Sequence, residues 1–199
     1  MKFRELRADE IECRIGQIKE NGLSLLLYKT ARCDMDILDE TVGSDAWARE
    51  HYECKGNLFC KVGIKFKNEW VWKSDCGSES NIDKEKGEAS DSFKRACVNW
   101  GVGRELYTAP FIWVTDCKIE NKKCYEKFVV SNIAYKDGKI TELTIANAKN
   151  GKVVFEINKI SNNKKKEAVN DIVCTKCGKP IMMLTGKDNK LYSAREVAK

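Results

Sequence analysis

Residues 58–66 read LFCKVGIKF, in which apolar and polar side chains alternate with a period of two. Leu58, Cys60, Val62, Ile64 and Phe66 share one face, while Lys61, Lys65 and then Lys67 fall on the other. Lys67-Asn68 forms a turn that returns the chain through Trp70, Val71, Trp72 and Lys73, so the segment is predicted to be a hairpin. One face packs and the other bears lysines, the asymmetry of an antiparallel sheet that buries a single side. The expected class is therefore α+β: an antiparallel sheet with helices packed on it.

The rest of the chain extends this plan. EIECRIGQI sets Ile11, Cys13 and Ile15 against Glu12, Arg14 and Gly16, the mark of a half-buried strand, after a short helical lead-in over residues 3–9. LSLLLYKTAR continues as strand, with Arg32 on it, and then turns helical around Ile37 and Leu38. Gly43-Ser44-Asp45 reads as a turn, and Ser44 as the N-cap of a helix over AWAREHY. The next helix is expected from Glu85 to Asn99, with Ala89, Phe93, Ala96, Cys97 and then Trp100 on one buried stripe, ended by Gly101 and Gly103. From Glu126 to Ile157 three alternating segments joined by Asp137-Gly138 and Asn150-Gly151 predict a β-meander.

Residues 159–171 are polar and basic and read as a linker, and residues 172–199 as a small terminal module. Residues 1–158 are expected to form one folded domain. From Lys159 onward ten Lys and Arg stand against four Asp and Glu, which accounts for the whole net charge of +6. The body is neutral, so a polyanion partner has to be argued from where its charges sit. No apolar run approaches the roughly 18 residues of a membrane span, and the charged first residues hold no signal segment. The expected location is the cytoplasm. Most of the ten cysteines are scattered singly, and Cys60 and Cys97 fall in apolar registers as small hydrophobes do.

The segment SDSFKRACVNWGVGRELY places Lys94 beside Arg95 on the helix expected from Glu85 to Asn99. GVGREL begins like a dinucleotide fingerprint, but it ends a helix where the fingerprint must open one, and Leu106 stands where the third glycine belongs. No GxxxxGK[ST] occurs, which argues against P-loop chemistry. A Lys-Arg pair is often only a solvated face. Here it has company in Arg32, Arg104 and the sheet lysines Lys61, Lys65 and Lys73, which together form a candidate groove for a phosphate backbone. Trp47 and Trp100 read as core rather than as base platforms. Asp34, Asp36, Asp39 and Glu40 could hold Mg²⁺ for nuclease work, but their helical spacing reads more simply as an acidic helix surface.

YKTARCDMDILDETVGSDAW, the hairpin, and SDSFKRACVNWGVGRELY, in that order, resemble the Rad-fifty-two superfamily of single-strand annealing proteins, most closely its bacteriophage Sak-type recombinases. Two signatures carry the resemblance: D-x-L-D-E-x-x-G-x-x-x-W, met by Asp36, Leu38, Asp39, Glu40, Gly43 and Trp47, and the Asp-x-Phe-Lys-Arg-Ala helix around Lys94. It spans about Phe3 to Val114. It implies a β-β-β-α core that assembles as a homo-oligomeric ring or filament, a groove in which Lys94, Arg95 and Arg32 meet single-stranded DNA, and ATP-independent annealing for phage-type recombination in the bacterial host cytoplasm. A single-strand-binding protein is a further expected partner. Eukaryotic members carry another arginine one turn after the pair; Val98 and Asn99 stand there, and Arg104 is the candidate substitute. Annealing fits the chemistry, since it requires phosphates to be neutralised while base edges stay free, and needs no nucleotide hydrolysis and no cofactor.

CTKCG in the tail gives Cys174 and Cys177 the spacing of a zinc knuckle, but no Cys or His follows and His51 is the only histidine. A degenerate ribbon, a zinc site shared between subunits, and no metal at all remain open. Two other functions also stand: passive single-strand binding without annealing, and a tail-borne adaptor for another protein.

Overall fold

The structure is a computed structural model that describes residues 1–79 and 83–158, together with the backbone of 183–185 and 191–193. The chain divides into two compact units, Met1–Ile157 and Asn158–Lys199. The linker residues 159–171 and the knuckle cysteines Cys174 and Cys177 lie outside the described residues. In the second unit, Met183–Thr185 and Leu191–Ser193 pair as an antiparallel hairpin.

The first unit is α+β. Its strands are β1 (Ile11–Lys19), β2 (Gly22–Lys29), β3 (Trp47–Cys54), β4 (Asn57–Phe66), β5 (Glu69–Cys76), β6 (Ile112–Val114), β7 (Phe128–Lys136), β8 (Lys139–Asn147) and β9 (Val153–Asn158). Its helices are α1 (Ala31–Val42) and α2 (Lys84–Trp100). One sheet has six strands in the order β6-β2-β1-β7-β8-β9, and a second has three in the order β3-β4-β5. The three-stranded sheet is antiparallel throughout and is followed directly by α2, which lies on β4 and β5 and touches α1.

Turn chemistry fixes the hairpins. Lys55-Gly56, Lys67-Asn68 and Asp137-Gly138 all adopt positive φ at both positions, the conformation that lets a two-residue turn follow the strand twist. α2 ends where Gly101 enters the left-handed region at φ 112°, and its N–H reaches back to Cys97 and Val98. The predicted stripe is the core contact of this helix: Phe93, Ala96 and Cys97 are fully buried against Cys60, Val62 and Ile64 of β4. Trp47 and Trp100 pack against the same core, Trp47 stacking on Phe93 with centroids 6.1 Å apart and Trp100 donating its ring N–H to the Val62 carbonyl at 2.9 Å.

Three local expectations are corrected. The lead-in is only a 3₁₀ turn over Ala8–Glu10. Arg32 stands on the first turn of α1, not on a strand. Thr30 caps that helix by accepting the Cys33 N–H at 3.2 Å, so β2 ends at Lys29. AWAREHY is not a helix but most of β3, paired with β4 from Trp47↔Ile64 to Cys54↔Asn57. The alternation fails in β3 because Arg49 and His51 occupy the face that packs apolar residues in β4. The pairings Arg49↔Val62 and His51↔Cys60 place them there.

Candidate nucleic-acid interface

Five elements bring cations to one place. β1 supplies Arg14, β2 Lys29, α1 Arg32, β3 Arg49, and α2 Lys86 and Lys94; with His51 they line a cavity of about 550 Å³ that no Asp or Glu lines. Each arrives by local geometry. Arg14 is on the polar side of the alternating strand β1, and its guanidinium lies 4.8 Å over the Tyr28 ring. The Thr30 cap directs Arg32 outward, and Arg49 lies 4.7 Å over the ring of Phe93. Lys94 emerges between the buried residues Phe93 and Ala96.

What distinguishes these cations is their lack of counter-charges. Among the described residues, Arg32, Arg49, Lys86 and Lys94 make no ion pair, whereas Arg14 shares its charge with Glu12 at 2.8 Å. Burial lowers the pKa of Lys94; Asp91 acts against it and the neighbouring charges of Arg14 and Lys29 reinforce it. Asp34 also acts against the lowering, but no carboxylate forms an ion pair with this half-buried ammonium, and an arriving anion would stabilise its charge.

Lys29 differs from the others. It is 5% exposed, and its ammonium bonds the carboxylate of the fully buried Asp34. Burial raises the Asp34 carboxyl to about 6 despite that lysine, and its Oδ2 has no hydrogen-bond partner among the described residues. Lys29 forms the floor of the groove rather than part of its grip, with Asp34 buried behind it. Gly103 makes room for it, since a Cβ there would collide with the Lys29 side chain.

The seven cations singled out from the sequence thus separate. Arg32 and Lys94 share the groove, and Arg95, one residue on, lines a smaller cavity beside it with Lys94. Arg95 is partly engaged, as its Nε meets Asp75 Oδ1 at 3.3 Å. Lys61 and Lys65 lie on the opposite face of β4, where Lys61 pairs with Glu50 at 2.9 Å and sits 4.7 Å over Trp72. Lys73, opposite the inward-facing Val62, points inward instead, and its Nζ donates to the Asn99 carbonyl at 2.9 Å. Arg104 donates to the Val98 and Asn99 carbonyls, so Lys73 and Arg104 both serve the carbonyl end of α2. Sequence reasoning missed Arg14, Lys29, Arg49 and Lys86 as groove residues. The polar phase of β1 was the one available sign for Arg14.

Three of the four acidic residues of α1 are separately engaged. Asp34 holds Lys29, Asp39 accepts the Trp47 ring N–H at 2.6 Å, and Glu40 accepts Arg4 at 2.6 Å. Among the described residues no three metal-capable side chains converge. Cys60 and Cys97 are buried, and burial pushes the Cys60 thiol up to about 11 and Cys97 further. Among the described residues no helix is long and apolar enough to cross a membrane.

A curated relative is the single-stranded DNA-binding protein DdrA of Deinococcus deserti, 34% identical to this chain over 99 residues. The matched residues cover 48% of this chain and 49% of that protein, so the chain spans about half the length of the relative. No family model matches the chain, and no solved structure matches it.

Proposed function

We propose that the protein binds single-stranded DNA through its backbone in the groove of Arg14, Arg32, Arg49, Lys86 and Lys94, and anneals complementary strands without ATP. One observation carries this reading: in a body of zero net charge, six Lys and Arg surround a cavity that no carboxylate lines. Such a site holds phosphates without reading bases, which is what presenting a strand for pairing requires. The name of the relative supports single-strand binding, and the resemblance of two sequence signatures to those of the Rad-fifty-two annealing proteins supports the annealing step. On this reading the protein works as a homo-oligomeric ring or filament that joins grooves end to end, serves recombination or repair of the phage type, and carries out no covalent chemistry. Recruitment of a single-strand-binding protein, or zinc at Cys174 and Cys177, would be additions of the tail.

Passive binding is the second reading, favoured by the name of the relative, which states binding alone. The test mixes complementary labelled oligonucleotides with and without protein, in the absence of nucleotide triphosphates, and follows duplex formation. Annealing predicts pairing well above the spontaneous rate. Tight binding of each strand with pairing unchanged or slowed would establish passive binding instead.

A further inference from the structure

Beside the cationic groove lies a second cavity of about 270 Å³, between β2, the C-terminal half of α2 and the turn at Arg104–Thr108. Its walls differ in kind from those of the groove. Leu26, Leu27, Val98 and Leu106 make them apolar, the rings of Tyr28 and Tyr107 join them, and Lys29, Lys94 and Arg95 supply the polar groups. No Asp or Glu lines it. Tyr107 is 71% exposed and Leu26 47%, so large apolar surface stands open at the edge of a charged groove.

Lys29 and Lys94 line both cavities, so the apolar pocket adjoins the groove at the same half-buried ammonium. We infer that this pocket takes one unstacked nucleobase of the single strand whose phosphates lie in the groove, with Tyr107 as its stacking partner. The inference rests on the proposed backbone binding and adds a contact that reading does not contain. A phosphate on Lys94 leaves its own base within one nucleotide of the pocket. Apolar walls with exposed tyrosine rings suit the face of any base, because every base has a π-surface. The cationic rim, free of carboxylates, suits a base still attached to its phosphates rather than a free apolar ligand. One base per subunit held in this way would fix the register of the strand on the protein while its neighbours stay available for pairing.

The experiment compares oligo(dT) with a wholly abasic sugar-phosphate strand of equal length and charge, binding each to the parent protein and to Tyr107→Ala at one salt concentration. Tyr107 is mostly exposed, so its truncation spares the core. The parent should bind oligo(dT) about fivefold or more tightly than the abasic strand, and Tyr107→Ala should lose most of that advantage while binding the abasic strand as the parent does. Equal affinity of the parent for both strands would overturn the pocket and leave the groove intact. A Tyr107→Ala variant that weakens both strands alike, or neither, would overturn it too. So would a variant that changes only the particle size in light scattering, which would assign the pocket to a neighbouring copy of the chain. Failure of the groove reading looks different, since the abasic strand, which offers phosphates alone, would then fail to bind the parent.

Discussion

The two faces of the β3-β4-β5 sheet both carry cations, yet they differ in what those cations do. On the outer face Lys61 is paired with Glu50 and lies over Trp72, and Lys65 stands opposite Trp70. On the inner face Arg49 of β3 joins Arg32, Lys86 and Lys94 around one cavity, and among the described residues none of these four makes an ion pair. A paired surface charge is already answered and changes little when a polyanion arrives. Unpaired cations held together on separate elements repel one another until an anion enters, and that repulsion is the source of the grip. On the proposed reading, convergence and lack of pairing, rather than the number of lysines, mark the face that takes phosphate.

The comparison breaks most severely if the inner face loses its support. Phe93 is fully buried in α2 and underlies both Trp47 and Arg49. Phe93→Ala should cost about 3 to 5 kcal/mol of stability in urea unfolding. A cost below about 1 kcal/mol would mean that α2 is not anchored by this stripe and that the groove wall is not fixed by it.

The groove floor gives the next test. Asp34→Asn leaves the Lys29 charge buried without its counter-charge, for an expected loss of about 3 to 5 kcal/mol at neutral pH. Its pH dependence has a defined sign. The native carboxyl holds its proton up to about pH 6, while the unfolded chain releases it near the usual value of about 4. Over that window the folded state binds more protons, so this group favours folding at the acidic end and its contribution falls as pH rises towards 6. Urea midpoints of parent and Asp34→Asn between pH 4 and 7 should differ most at the acidic end, because only the parent loses this contribution as pH rises. A gap that stays constant across the series would remove Asp34 titration from the account.

Much of the fold was legible because its signals are local. The meander is written in Asp137-Gly138 and Asn150-Gly151, α2 in a stripe that ends at a left-handed glycine, and the inner face of β4 in unbroken alternation. β3 was misread because Arg49 and His51 occupy the inward phase where a strand signal needs apolar residues, on a face that opens into the groove. The site was legible only in part. Lys94 and Arg32, singled out from their motif context, line one cavity, but the convergence of Arg14, Arg49 and Lys86 with them arises from the packing of five elements distant in sequence. Lys73 and Arg104 do not line that cavity, and a cation at the end of a helix and a cation in a groove look alike in sequence until their acceptors are known. Here those acceptors are the Val98 and Asn99 carbonyls.

The smallest change is also the most direct test of the central claim. Binding of oligo(dT) is measured from low to moderate salt for three proteins: the parent, Arg32→Ala with Lys94→Ala, and Lys61→Ala with Lys65→Ala. Each phosphate contact to a single strand contributes about 0.7 to the slope of log K against log salt, so the inner-face pair should flatten the slope by about 1.4 and the outer-face pair should leave it unchanged. Equal flattening by both pairs, or flattening by the outer pair alone, would contradict the assignment of the phosphate track to the inner groove.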